Sequence, residues 1–202
     1  KPGAMNELVA FELATGALRS RHVFPPGRAA CNDMSVAADG AVFVADTQGA
    51  RILRLPPGGN ALEVFAEDER LRGVDGIAFS GDGKLYVNNV QSGAMLRVGI
   101  GADGSFAGLT DLKVSEKLGG PDGLRLIEGN RFLQAEGTSG RITEVTIVGD
   151  EARIRVLRDG LDSSPGVTRV GDTVYAIEGK IRYLIDPKLR GQDPGPFRII
   201  AM

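Results

Sequence analysis

One pattern occurs four times along this chain and restricts its possible folds more than any other feature. Each copy holds a turn carrying Asp or Gly, an apolar strand, a Gly turn, a second apolar strand closing on a polar residue, and a third short strand. The first copy passes through Asn32-Asp33-Met34-Ser35-Val36, Asp39-Gly40, Val42-Phe43-Val44-Ala45-Asp46 and Arg51-Ile52-Leu53-Arg54-Leu55. The second holds Val74-Asp75-Gly76-Ile77, Asp82-Gly83, Leu85-Tyr86-Val87-Asn88-Asn89 and Met95-Leu96-Arg97-Val98. The third holds Pro121-Asp122-Gly123-Leu124, Gly129-Asn130, Phe132-Leu133-Gln134-Ala135-Glu136 and Arg141-Ile142-Thr143-Glu144-Val145. The fourth holds Ser164-Pro165-Gly166-Val167, Gly171-Asp172, Val174-Tyr175-Ala176-Ile177-Glu178 and Ile181-Arg182-Tyr183-Leu184. Anchored at 33, 75, 122 and 165, successive copies lie 42, 47 and 43 residues apart. A further apolar stretch closes each unit, at 62–65, 110–114, 154–157 and 197–200.

Four strands in about 40 to 45 residues is the signature of a β-propeller blade. The expected fold is therefore an all-β propeller occupying residues 1–202 as a single domain. The Pro/Gly-rich segments 56–59 and 193–196 fall between strands and read as turns rather than linkers. The opening segment from Leu8 to Phe24 fits the outer half of an earlier blade, which brings the expectation to 18 strands, or 4.5 blades. A closed ring needs whole blades, because an open one leaves sheet edges and apolar faces uncovered. Six blades of about 44 residues need roughly 264 residues, so a stretch of about 60 residues is expected to be missing at the N-terminus.

Composition narrows the chemistry. One cysteine, Cys31, permits no intrachain disulfide and no cysteine-rich zinc site, and one histidine, His22, permits no two-histidine metal site. A net charge of −2 offers no basic face for nucleic acid or an anionic membrane. No apolar run reaches the roughly 18 residues of a membrane helix, and the compartment stays open between cytoplasmic and periplasmic or secreted. The 29 glycines, without low complexity, point to many tight turns.

In an up-and-down blade the start of the first strand and the end of the second share one rim. First strands line the central channel, so Asn32, Asp33, Asp75, Asp122 and Ser164 are expected to converge on the axis, with Asp46, Asn88, Asn89, Glu136 and Glu178 around them. Carboxylate and amide oxygens with no His or Cys suit a hard cation such as calcium, magnesium or manganese.

These segments, Asn32-Asp33 followed by Asp39-Gly40, Val74-Asp75-Gly76-Ile77 followed by Asp82-Gly83, and Pro121-Asp122-Gly123-Leu124, resemble the senescence marker protein/gluconolactonase (regucalcin) family. The resemblance implies a six-bladed propeller with one divalent cation in its channel, calcium first, with magnesium, manganese or zinc as alternatives. It also implies a metal-dependent hydrolase acting on a small-molecule lactone or related ester. Carried over by position, Asn32 becomes a substrate-side residue, Asp75 a metal ligand where the family has Asn, and Asp122 a metal ligand and proposed catalytic base. The family's Glu ligand comes from its first blade, which is expected to lie in the missing N-terminal stretch. NHL-repeat and strictosidine-synthase-like propellers share Asp-Gly blade starts, so a non-catalytic module binding a ligand or protein partner is the alternative.

Simpler structural readings stand beside these. Asp-Gly is a favoured turn pair, and Asp75 or Asp122 can cap a loop through backbone N–H groups. Asp46, Asn88, Asn89, Glu136 and Glu178 read as solvated or supporting rim residues. His22, beside Arg19 and Arg21, reads as a surface residue of an outer strand, and Cys31 as a small buried hydrophobe. The run from Gly99 to Gly104 has no helix after it and reads as a hairpin turn.

Overall fold

A computed structural model describes residues 6–202. A two-stranded hairpin, β1 (Glu7–Phe11) and β2 (Leu18–Val23), precedes the blades. Blade 1 is β3 (Cys31–Val36), β4 (Val42–Asp46), β5 (Arg51–Leu55) and β6 (Glu63–Glu67), hydrogen-bonded in chain order. Blade 2 is β7 (Val74–Phe79), β8 (Leu85–Asn89), β9 (Met95–Ile100) and β10 (Phe106–Asp111). After β11 (Lys113–Val114), blade 3 is β12 (Pro121–Glu128), β13 (Arg131–Glu136), β14 (Arg141–Val148) and β15 (Glu151–Arg158). Blade 4 is β16 (Gly166–Val170), β17 (Thr173–Ile177) and β18 (Ile199–Ala201), with a short helix, α1 (Arg182–Ile185), in the β17–β18 connection. The described residues thus form an all-β propeller of four blades.

Blade stacking explains the sequence pattern. β4, β8 and β13 are buried almost throughout rather than on alternate residues, because each is covered on both faces, by neighbouring blades or, for β4, by the hairpin on one side. Phe43, Ile52, Leu71, Ile77, Leu85 and Leu96 fill the gap between blades 1 and 2, where Phe43 meets Phe65 and Phe79 edge-to-face at 4.9 and 5.3 Å. Leu124, Phe132 and Val145 meet Tyr86 and Met95 between blades 2 and 3, and Leu133, Ile142 and Val167 fill the next gap. The hairpin covers blade 1 through Leu8 and Phe24 against Val44 and Leu53. The inner strands β3, β7, β12 and β16 are successive neighbours, as the repeat predicted, and follow an arc. On blade 4, Val170, Tyr175, Ile177 and Ile199 face solvent.

Three expectations need correction. Ile181-Arg182-Tyr183-Leu184 alternates as a strand would, yet forms α1, and β18 takes the third-strand place assigned to it. The reason is ionic: the Glu178 carboxylate accepts from Arg198 Nε at 2.6 Å and the Glu178 N–H donates to the Arg198 carbonyl, so the third strand begins after Arg198. The segment 110–114 does not close blade 2 alone, since β10 ends at Asp111 and β11 pairs in parallel with β15 of blade 3. The first repeat is also displaced by one residue. Cys31 pairs with Asp46, Val74 with Asn89 and Pro121 with Glu136, each followed by a bulge at the same place, so Asn32 rather than Asp33 matches Asp75 and Asp122. The run from Gly99 to Gly104 is the β9–β10 turn, closed by the Gly101 N–H on the Ser105 carbonyl at 2.8 Å.

Phe43→Ala removes a side chain only 2% exposed that links two blades. It is expected to cost about 3–5 kcal/mol, lowering Tm by roughly 10 °C, in thermal denaturation. Leu13→Ser, at a residue 99% exposed, should leave Tm unchanged in the same measurement.

Candidate functional site

The site is built where the inner strands start. Gly76 and Gly123 follow the two aspartates inside β7 and β12, and neither has a positive φ, so the Asp-Gly pairs are not turns here. Their role is close approach: a Cβ at Gly76 would run into the Asp122 carbonyl oxygen, and one at Gly123 would lie 3.0 Å from the Pro165 carbonyl oxygen. Asn88, fully buried, fixes that spacing by accepting from the Gly76 N–H at 2.8 Å and donating to the Asp122 carbonyl at 2.7 Å. Its amide nitrogen also reaches Gln134 Oε1 at 3.1 Å.

This contact sets two carboxyl groups side by side. Asp75 is 3% exposed; its Oδ2 accepts from Asn32 Nδ2 at 2.7 Å, and its Oδ1 is buried with no donor. Burial first, then the neighbouring Asp122 charge, pushes the Asp75 carboxyl up to about 8. Burial also raises Asp122, to about 6, with the neighbouring Asp75 and the Gly123 backbone pulling the other way. Asp122 is half-buried and Asn32 exposed, so both are reachable from the channel. Thr47 orients Asn32: its hydroxyl donates to the Val74 carbonyl at 2.7 Å and accepts from Asn32 Nδ2 at 3.1 Å.

A buried carboxylate oxygen without a donor, beside a second carboxylate, lacks positive charge. A proton shared by the pair supplies it, and so does a hard cation, for which oxygen-only donors are the fitting set. Among the described residues no three His, Cys, Asp or Glu side chains converge as metal ligands. The third nearby carboxylate, Asp33, is committed elsewhere: Arg125 Nη1 donates to its Oδ2 at 2.6 Å, the Met34 N–H to its Oδ1 at 2.9 Å, and the Ile77 N–H to its Oδ2 at 3.3 Å. A separate cavity of about 930 Å³ lies further along the inner strands, lined by Met34, Val36, Ile77, Phe79 and Leu126 among others.

The strand-end residues are not solvated rim groups. Asp46, Asn88, Asn89, Glu136 and Glu178 are all buried. Asp46 accepts from the Ala30 and Gly49 N–H groups and from Arg51 Nε; Glu136 accepts from the Gly119 N–H, Ser139 and Arg141. Asn89 does the same work without charge, donating to the Arg70 and Arg72 carbonyls and accepting from the Gln91 and Ser92 N–H groups. Each therefore ties the loop entering its blade to the hairpin leaving it, which requires a buried position. Ser164 is buried as well, ahead of β16. His22 is buried rather than superficial, its ring nitrogens meeting the Asn60 carbonyl at 3.1 Å and the Ser20 hydroxyl at 2.9 Å. Cys31 is half-buried against the hairpin core, its thiol raised by burial and then by the charges of Asp46 and Asp33. Sequence reasoning passed over Arg125. The available signal was a lone arginine in register with Ser35, Ala78 and Thr168 of the other inner strands.

No family model matches the chain, and no curated protein sequence does. Solved structures do. Virginiamycin B lyase from Staphylococcus aureus is similar at a TM-score of 0.67 and 17% identity, covering 85% of this chain and 55% of that one. A gluconolactonase from Xanthomonas campestris is similar at 0.58 and 20% identity, covering 78% and 58%. Regucalcin from Agrobacterium tumefaciens, described as a calcium-binding protein, is similar at 0.64 and 18%, covering 83% and 60%. The chain thus spans less than two thirds of the length of each. At these identities the likeness establishes the propeller fold. No helix among the described residues is long and apolar enough to cross a membrane.

The raised carboxyls carry a sign for stability. The folded state keeps a proton that the unfolded chain gives up near 3.8, so stability is fully present below that pH and falls as pH rises through about 6 and 8. Asp75→Asn provides a neutral donor for Asp122 and still accepts from Asn32. In chelator at pH 8 it is expected to stabilise the protein by about 1–2 kcal/mol, roughly 2–8 °C in Tm, with little effect at pH 5. Parallel Tm-against-pH curves for the two proteins would disprove the pairing.

Proposed function

We propose that this chain supplies four blades of a six-bladed, cation-dependent hydrolase acting on a small lactone or related ester. The observation that carries the reading is the Asp75–Asp122 pair, two close carboxyl groups with one buried oxygen left without a donor. Blade spacing near 44 residues and the gluconolactonase and regucalcin likenesses support it.

Asp75 and Asp122 would hold the cation, calcium being the first choice among oxygen-seeking ions, with the Asn32 amide oxygen free to join them or to bind substrate. A cation bound there supplies Lewis-acid polarisation of the ester carbonyl. Asp122, the more accessible carboxylate, takes a proton from the attacking water as general base. The exposed Asn32, held by Thr47 and Asp75, hydrogen-bonds and orients the substrate at the channel mouth. Asp75 stays anchored and buried, fixing the distance between the groups.

Asp122→Asn keeps shape and removes one charge. Calcium, magnesium, manganese and zinc titration by calorimetry should show at least ~10-fold weaker binding, and lactone turnover should fall by roughly 10²–10⁴, more than affinity explains. Equal affinity and equal turnover in the two proteins would remove both roles from Asp122 and favour a non-catalytic propeller that binds a ligand or protein partner.

A further inference from the structure

Asp33 occupies a position that is glycine in the next two blades. By strand register it matches Gly76 and Gly123, where side chains are excluded by the neighbouring inner strand. Its carboxylate instead lies between β3 and β7, taking the Ile77 N–H, and is reached by Arg125 from β12. One ion pair therefore joins blades 1, 2 and 3 beside the acidic pair. Asp33 is nearly buried, at 9% side-chain exposure, while Arg125 is 45% exposed. The Asp33 charge lies beside the acidic site: Asp33 follows Asn32, whose amide donates to Asp75, and accepts from the Ile77 N–H two residues beyond Asp75.

We infer that Arg125 is a positioning residue that holds Asp33 off the cation site and cancels its charge, so that the site works with two carboxylates instead of three. The inference rests on reading Asp75 and Asp122 as cation ligands. Three mutually close carboxylates would bind a divalent cation more tightly and bind oxyanionic substrate or release carboxylate product less readily, because net charge at the site sets both. Arg125 is suited to the task. Its guanidinium is always charged, and its Nη1 is further fixed by donating to the Leu124 carbonyl at 2.7 Å.

The test is a double-mutant cycle read by calcium and manganese calorimetry on the whole protein, with thermal unfolding as the check on folding. Arg125→Met should tighten cation binding by ~10-fold or more, and Arg125→Lys should stay within about threefold of wild type. In an Asp33→Asn background, Arg125→Met should change affinity by no more than about twofold, because the carboxylate it releases is gone. Arg125→Gln, which keeps a donor for Leu124 and drops the charge, serves in place of Arg125→Met should the latter not fold. Equal tightening in both backgrounds would mean that the guanidinium repels the cation directly, and would overturn the inference, as would unchanged or weaker binding in Arg125→Met. A wild-type protein that takes up no cation beside an Arg125→Met protein that does would refute the two-ligand site while supporting the Arg125 hold. If neither binds, both fall.

Discussion

Everything in the candidate site depends on how closely the inner strands of adjacent blades approach one another. At Gly76 the backbone of blade 2 lies against the Asp122 carbonyl of blade 3, with no room for a methyl group. Asn88 locks that approach from below with one bond to each strand. Because strands so placed carry their preceding residues side by side, the Asp75 and Asp122 carboxyl groups meet in a partly dehydrated channel. Their mutual repulsion is the cost of the geometry, and it is what makes the pair hold a proton above the usual carboxylate range.

The buried acids of this protein divide by the company they keep. Asp46, Glu136 and Glu178 each have an arginine and backbone N–H groups on their oxygens, so their charges are balanced and their work is to tie loops to blades. Asp33 belongs with them, through Arg125 and two N–H groups. Asp75 and Asp122 do not. They have each other and one amide from Asn32, and an oxygen left over. Imbalance of this kind destabilises a fold unless something binds there, and it is characteristic of sites kept for function.

Apolar packing supplies the rigidity that such a site requires. Phe43, Phe65 and Phe79 between blades 1 and 2, and Tyr86 with Phe132 between blades 2 and 3, hold the inner strands from the outside. The strand-end clasps hold them at the rim. Carboxyl groups confined from both directions cannot move apart to relieve their repulsion.

The blade repeat, the β-only fold, the neighbouring inner strands and the placing of Asn32, Asp75 and Asp122 at one rim were legible in the amino-acid order. Each follows from local periodicity and the geometry of an up-and-down sheet. Where the third strand of blade 4 lies was not legible, because Ile181–Leu184 and Ile199–Ala201 satisfy the same alternation and a long-range pair, Glu178 with Arg198, decides between them. Nor was the one-residue displacement of the first repeat, since Asn32-Asp33 offers two polar candidates and only the pairing of Cys31 with Asp46 chooses. The roles of the acids were equally hidden. Strand position separates Asp75 from Asp46 and Glu136 along the chain, but that the latter two are buried clasps rather than solvated rim groups depends on the arginines and N–H groups that reach them. For Asp33 that arginine is Arg125, which lies 92 residues further along the chain and is brought to it only by the curvature of the blades.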